Sequence, residues 1–315
     1  MKGNANIIYI ICCIVLVLTV QISCKNNKSS VDENSTVDKP AREIKLVEVP
    51  SMMTDPESRS KYASEHYWDD FDFNDSTYLG NRKAMNDHMG IYFFVLANTT
   101  QDAIDKPISS FVSKFFRGNA TLRSYFLDAI ESALYDPNSE IRNEALYIAF
   151  LKSFVGSGDV DFSLKEKYTF QLELALKNRP GAMALDFKYI DRDNRVSSLR
   201  KTNGKYILLF FYEPGCPSCK STKQGIKESA VFKEIGSNLT YLAIYTGEDY
   251  NEWKEDLGSF PSEWIVAHDI GQELVNDKLY DLRASPTMYL LDSTHKVLLK
   301  DPDLFQLNNY LSTLL

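Results

Sequence analysis

The chain has 315 residues, a net charge of −8 and 44% hydrophobic residues, enough for two ordinary domains that each bury a core. An acidic balance with no block of lysine and arginine excludes nucleic acid as an expected partner, because phosphate binding needs a basic stripe.

Lys2 is followed by an apolar run over residues 7–20. That run is too short to cross roughly 30 Å of hydrocarbon comfortably as a helix, and has the length of a signal-peptide core. Directly after it, Gln21-Ile22-Ser23-Cys24 resembles a bacterial lipoprotein cleavage box, in which a small residue precedes a cysteine that takes lipid and becomes the mature N-terminus. Gln21 departs from the usual leucine. Residues 1–24 are therefore expected to be a lipoprotein signal peptide with Cys24 as the lipidation site. The rest of the chain would face the periplasm or exterior, anchored to a membrane of the cell envelope. An uncleaved signal anchor is the alternative, and it too places the chain outside the cytoplasm. Residues 25–48 open with polar runs such as Asn26-Asn27-Lys28-Ser29-Ser30 and read as a flexible tether.

Residues 49–178 read as an all-helical domain. Thr54-Asp55-Pro56-Glu57 is a capping-box pattern that starts a helix running towards Tyr67. Ile104, Ile108, Phe111, Val112 and Phe115 form one helical stripe, and Leu122, Phe126, Ile130 and Ala133 form the next. Asp136-Pro137 is expected to start a further helix carrying Ile141, Ala145, Ile148 and Leu151. A last helix, near 164–176, stops before Asn178-Arg179-Pro180-Gly181. Within this domain, Asp70, Asp72 and Asn74 imitate the opening of a calcium loop. Asp75 stands where glycine is needed and Asn81 where the bidentate glutamate belongs, so the run from His66 to Asp75 reads instead as aromatic core with carboxylates at the surface.

In residues 179–315 short β-type runs such as 205–211 and 240–244 alternate with helical segments, which predicts a mixed sheet flanked by helices, an α/β domain. Cys12 and Cys13 lie in the signal segment and Cys24 would carry lipid, so only Cys216 and Cys219 remain. Cys216-Pro217-Ser218-Cys219 follows the strand ending at Tyr212 and precedes helical spacing. A cysteine in the first turn of a helix faces unpaired N–H groups and the positive end of the helix dipole, which favours its thiolate. Cys219 is close enough in sequence to resolve a mixed disulfide formed at Cys216. A purely structural disulfide is the weaker reading, because pairs at helix starts are typically reactive. Half of a zinc site is weaker still: there is no second cysteine pair, and His268 and His295 lack paired ligand spacing.

Three stretches in order, Gly181 to Phe187, Gly204 to Phe211 and Ser285-Pro286-Thr287-Met288-Tyr289-Leu290-Leu291-Asp292, resemble the extracytoplasmic, membrane-tethered thioredoxin-like thiol-disulfide oxidoreductases. The resemblance implies a thioredoxin-like fold, a cis Pro286 against the sulfurs, and Ser285 with Tyr212 and Pro217 in contact with substrate. It also implies protein disulfides as clients, a membrane or periplasmic thiol as electron donor, and neither cofactor nor metal. Together with Tyr135-Asp136-Pro137-Asn138-Ser139 and Arg142-Asn143-Glu144, the run from His66 to Asp75 resembles an uncharacterised helical domain found ahead of thioredoxin-like domains in Bacteroidota lipoproteins, a match that supplies no activity.

Departures from thioredoxin limit what carries over. Phe210 occupies the place of the buried aspartate, Tyr212 that of the first active-site tryptophan and Gly215 that of the second. Glu213 is then the nearest candidate to accept the Cys219 proton, with a solvated loop charge as the alternative. Peroxiredoxin chemistry is disfavoured, because Glu213 stands where the threonine three residues before the nucleophile belongs. The expected activity is that of an exported reductase or isomerase of protein disulfides. The alternative is a lipid-anchored adaptor that uses the fold as a scaffold.

Overall fold

The computed structural model describes residues 42–315; the signal segment, Cys24 and the first part of the tether lie outside the described residues. Among the described residues no helix is long and apolar enough to cross a membrane.

Helix α1 (Pro56–His66) starts where Asp55, not Thr54, caps it: the Ser58 N–H donates to the Asp55 carboxylate at 2.8 Å, with proline in the first turn where its missing N–H costs nothing. The run that follows buries Tyr67, Trp68, Phe71 and Phe73 and leaves Asp69, Asp70 and Asp72 exposed, as the aromatic reading of that segment expects. A 3-10 turn (Ser76–Asn81) leads into α2 (Arg82–Ala97), a helix the sequence reading passed over. Its signal was present: Met85, Met89, Tyr92, Phe93 and Leu96 recur at helical spacing and are all buried. Helices α3 (Asp105–Arg117), α4 (Ala120–Leu134), α5 (Glu144–Gly156) and α6 (Phe162–Leu176) complete this part.

The core they share is largely aromatic. Trp68 stacks on Phe111 with centroids 4.9 Å apart and meets Tyr92 and Phe126 edge-on, geometries that add to the gain from burial alone. Gly118 lets the α3–α4 turn close on this core. A Cβ there would strike the Phe73 backbone, and the next N–H, of Asn119, donates to the Phe73 carbonyl at 2.8 Å.

The helix expected from Asp136-Pro137 does not form. The Asp136 carboxylate accepts the Asn138 N–H at 2.8 Å, an Asx turn that competes with helix. The following helix starts only after Asn143, whose side chain accepts from the Leu146 N–H. Ile141, assigned to the buried stripe, is therefore outside the helix and 52% exposed.

The second part is one seven-stranded sheet. Its strands are β1 (Lys188–Asp191), β2 (Val196–Ser198), β3 (Tyr206–Tyr212), β4 (Leu239–Tyr245), β5 (Ile265–Asp269), β6 (Thr287–Asp292) and β7 (Val297–Lys300), in the order β2-β1-β5-β4-β3-β6-β7. The β3–β4 and β4–β5 pairs are parallel, the others antiparallel. Helices cover both faces, so β3 is an unbroken apolar run: Leu208, Phe210 and Tyr212 enter one core and Ile207, Leu209 and Phe211 the other. The crossover from β3 to β4 runs through α7 (Pro217–Glu228) and α8 (Ala230–Ile235). The two helices are separated at Ser229, which ends one and caps the next. Short helices α9 (Tyr250–Asp256) and α10 (Glu273–Asn276), and the C-terminal α11 (Leu304–Ser312), complete the fold.

The described residues belong to one compact unit, and the helical and sheet-bearing parts meet along a polar seam. The Lys300 ammonium, its side chain 4% exposed, pairs with Glu144 at 2.8 Å and donates to the carbonyls of Ala175 and Lys177. Arg142 pairs with the Asp301 carboxylate and donates to the Asp301 carbonyl at 2.8 Å. Desolvation offsets much of the Coulomb gain of such pairs.

Candidate functional site

Strand β3 delivers the chain to a turn in which Gly215 has φ +71°, a conformation open to glycine at no steric cost. The second tryptophan of thioredoxin would be strained at that position. Cys216 is the N-cap of α7: its sulfur accepts the Cys219 N–H at 3.2 Å. Pro217 occupies the first helical position and is exposed. Cys216 is half-buried, whereas Cys219 lies behind it and is 2% exposed. Both are free thiols, so the geometry is that of the dithiol.

The Ser285–Pro286 peptide bond is cis, and its loop faces the sulfurs. The Cys216 thiol donates to the Ser285 carbonyl at 3.3 Å, and the Ser285 hydroxyl lies 3.2 Å from the Cys219 sulfur. The sequence reading assigns Ser285 backbone contacts with substrate. It did not foresee the hydroxyl at Cys219, a contact that depends on how two distant segments meet.

The two thiols are driven apart in acidity. Burial works against the Cys216 thiolate, but hydrogen bonds from Cys219, Ser285 and the backbone N–H groups of Ser218 and Cys219 outweigh it and hold the thiol below its ordinary value. Burial first, then the hydrogen bond with Cys216, pushes Cys219 up to about 11. Cys216 is accordingly the better nucleophile, and Cys219 needs help to lose its proton.

The Glu213 backbone favours the Cys219 thiolate, but its side chain is engaged elsewhere. Its carboxylate accepts from the Thr246 hydroxyl at 3.0 Å, and among the described residues no hydrogen bond joins it to either sulfur. Burial nevertheless raises its pKa, partly offset by the Thr246 hydrogen bond. Tyr212 is also displaced from its expected role. It is 1% exposed, covered edge-on by Phe260 at 4.6 Å, so its side chain is a wall of the site and not a surface that a client could touch.

Lys223 is a residue the sequence reading missed. It lies four places after Cys219 on α7, hence on the same helix face. Its ammonium lies 3.8 Å from the centroid of the Phe260 ring and donates to the Ser259 hydroxyl at 2.9 Å. Burial lowers its pKa, while Asp256 and the two sulfurs favour its charged form. The i, i+4 spacing from the second cysteine was the available signal.

A dithiol at the start of a crossover helix, faced by a cis-proline loop at the edge of a central strand, is the arrangement of thioredoxin-like proteins. Residues 22–178 match the family described as a domain of unknown function (DUF5106), and residues 180–300 match the AhpC/TSA family. A thioredoxin-like protein of Bacteroides caccae is 32% identical, with a TM-score of 0.80 over 86% of this chain and 99% of its own. The C-terminal domain of an uncharacterised Bacteroides fragilis protein is 39% identical over 43% of this chain and 98% of its own, TM-score 0.42. The thioredoxin domain of a thiol-disulfide oxidoreductase of Bacteroides vulgatus is 24% identical over 43% of this chain and 97% of its own, TM-score 0.37. None of the curated proteins matches. The chain belongs to the thioredoxin-like family.

Proposed function

We propose that this protein is an exported thiol-disulfide oxidoreductase, a reductase or isomerase of protein disulfides, held at a membrane of the cell envelope through lipid on Cys24. The observation that supports it best is the split between a half-exposed Cys216 of lowered pKa and a buried Cys219 of raised pKa, one helical turn apart beside Ser285. In this reading the Cys216 thiolate attacks one sulfur of a client disulfide. A mixed disulfide forms and the first client thiolate leaves. Cys219 then loses its proton, attacks the Cys216 sulfur and expels the second client thiolate. Two electrons have passed to the client, and a Cys216–Cys219 disulfide remains for a thiol donor in the membrane or periplasm to reduce. Run in reverse, the same steps oxidise the client.

The test is reduction of a disulfide-bonded protein such as insulin by the soluble chain from residue 40 onward, with dithiothreitol as donor. Activity is expected to vanish in Cys216→Ala, and Cys219→Ala is expected to accumulate the mixed disulfide. Wild-type turnover no faster than dithiothreitol alone would favour the adaptor reading. Labelling of Cys24 by a fatty-acid probe in cells tests the anchor.

A further inference from the structure

The segment between α10 and β6 carries Ser285 and Pro286, yet it has no regular secondary structure. Among the described residues none of 280–286 enters a backbone-to-backbone hydrogen bond of the turns and loops. Its course is therefore set by side chains. Within the sheet-bearing part, the Tyr280 hydroxyl donates to the Leu185 carbonyl at 2.6 Å, and the Thr287 hydroxyl to the Ala284 carbonyl at 2.7 Å. The remaining anchor is Arg283, two residues before Ser285. Its guanidinium donates to both oxygens of Asp281 at 2.7 and 2.9 Å, and to the Tyr135 carbonyl at 2.6 Å. It also lies 3.3 Å from the centroid of the Tyr135 ring.

Tyr135 belongs to the other part of the chain. It ends helix α4, its N–H donating to the Glu131 carbonyl, and its ring stacks on Tyr147 of α5 at 4.5 Å. That ring is a rigid platform, and a planar guanidinium both stacks on it and makes a fixed fork to a carboxylate, which a lysine could not do. A loop without a backbone ladder loses conformational freedom mainly through such contacts.

We infer that the helical domain is a positioning element for the dithiol: through Tyr135 it grips Arg283, and Arg283 holds the loop that sets Ser285 against both sulfurs. The inference rests on the redox reading above and gives the domain of unknown function a task within it. Loss of the grip leaves the sulfurs in place but frees Ser285. The Ser285 carbonyl that accepts from the Cys216 thiol and the Ser285 hydroxyl beside the Cys219 sulfur then lose their fixed places, and a client loses part of an ordered edge to pair with.

The test uses the chain from residue 40 onward with Arg283→Gln, with Tyr135→Leu, and with Lys177→Ala as control. Lys177 also bridges the two parts, donating to the carbonyls of Asp277 and Lys278, but among the described residues it makes no hydrogen bond to Arg283. Cys216 alkylation by iodoacetamide is followed against pH, and hydrogen exchange is followed over residues 279–288. Arg283→Gln and Tyr135→Leu are expected to shift the alkylation midpoint by roughly half a pH unit, about threefold in thiolate fraction, and to speed exchange in the loop. Lys177→Ala should do neither. Unchanged midpoint and exchange in Arg283→Gln would overturn the inference whatever Tyr135→Leu does. Neither readout needs turnover: a wild-type chain without reductase activity, but with an Arg283-dependent midpoint, would sink the redox reading and leave the coupling standing.

Discussion

The Ser285 hydroxyl lies 3.2 Å from the Cys219 sulfur although 66 residues separate them in sequence. It is a polar neighbour that could stabilise the Cys219 thiolate as it forms, and it lowers a pKa that burial otherwise drives up. Ser285→Ala is therefore expected to slow the resolving step. A net hydrogen bond of about 1 kcal/mol corresponds to roughly fivefold. Quenched-flow trapping should show more mixed disulfide on Cys216 in the variant. An unchanged amount would mean that the hydroxyl takes no part.

The two cysteines should separate cleanly in a pH titration. Cys216 is expected to be alkylated with a midpoint below the ordinary thiol value, and Cys219 only as pH nears about 11. Lys223→Gln removes a positive charge that interacts with both sulfurs, so both midpoints should move up and the Lys223 effect should shrink in high salt. Midpoints that stay put would show that the ammonium is only a cap over Phe260.

Asp269, at the end of β5, is 0% exposed. One of its oxygens accepts the Leu274 N–H at 2.9 Å, and the other has no hydrogen-bond partner among the described residues. Burial raises its pKa from 3.8 to about 6. The folded state thus holds this proton more tightly than the unfolded state does. The associated stability is present in full below 3.8 and is lost as pH rises through about 6, an effect of order 3 kcal/mol at most. Urea unfolding at pH 4 and at pH 7 should lose less stability across that interval in Asp269→Asn than in wild type. Equal losses would remove Asp269 as the source.

Phe111, 1% exposed and stacked on Trp68, should be among the most costly truncations in the helical part. Phe111→Ala is expected to destabilise by about 3–5 kcal/mol through lost burial and an unfilled cavity, read as a lowered urea midpoint with little change in slope. A loss below about 1 kcal/mol would mean that the aromatic cluster repacks.

Local pattern carried much of this protein. The apolar run of β3, the stripe through Ile108, Phe111 and Phe115, and the cysteine pair between strand and helix are all short-range facts, since burial period and helix-end electrostatics act within a few residues. The missed helix α2 was legible in the same way, from Met85, Met89, Tyr92, Phe93 and Leu96. Asp136-Pro137 misled because one residue pair serves both a helix start and an Asx turn, and only the surrounding packing chooses between them.

What tertiary structure alone decided are the contacts between distant segments. Tyr212 reads as a substrate contact until Phe260 covers it, and the Glu213 carboxylate finds a hydrogen-bond partner in Thr246, 33 residues away in sequence. Ser285 meets Cys219, and Arg283 meets Tyr135 across 148 residues, only when β6 lies beside β3 and the helical part docks on the sheet. Sequence determines which side chains are available through local periodicity and chemistry; which of them touch depends on chain paths that no local pattern encodes.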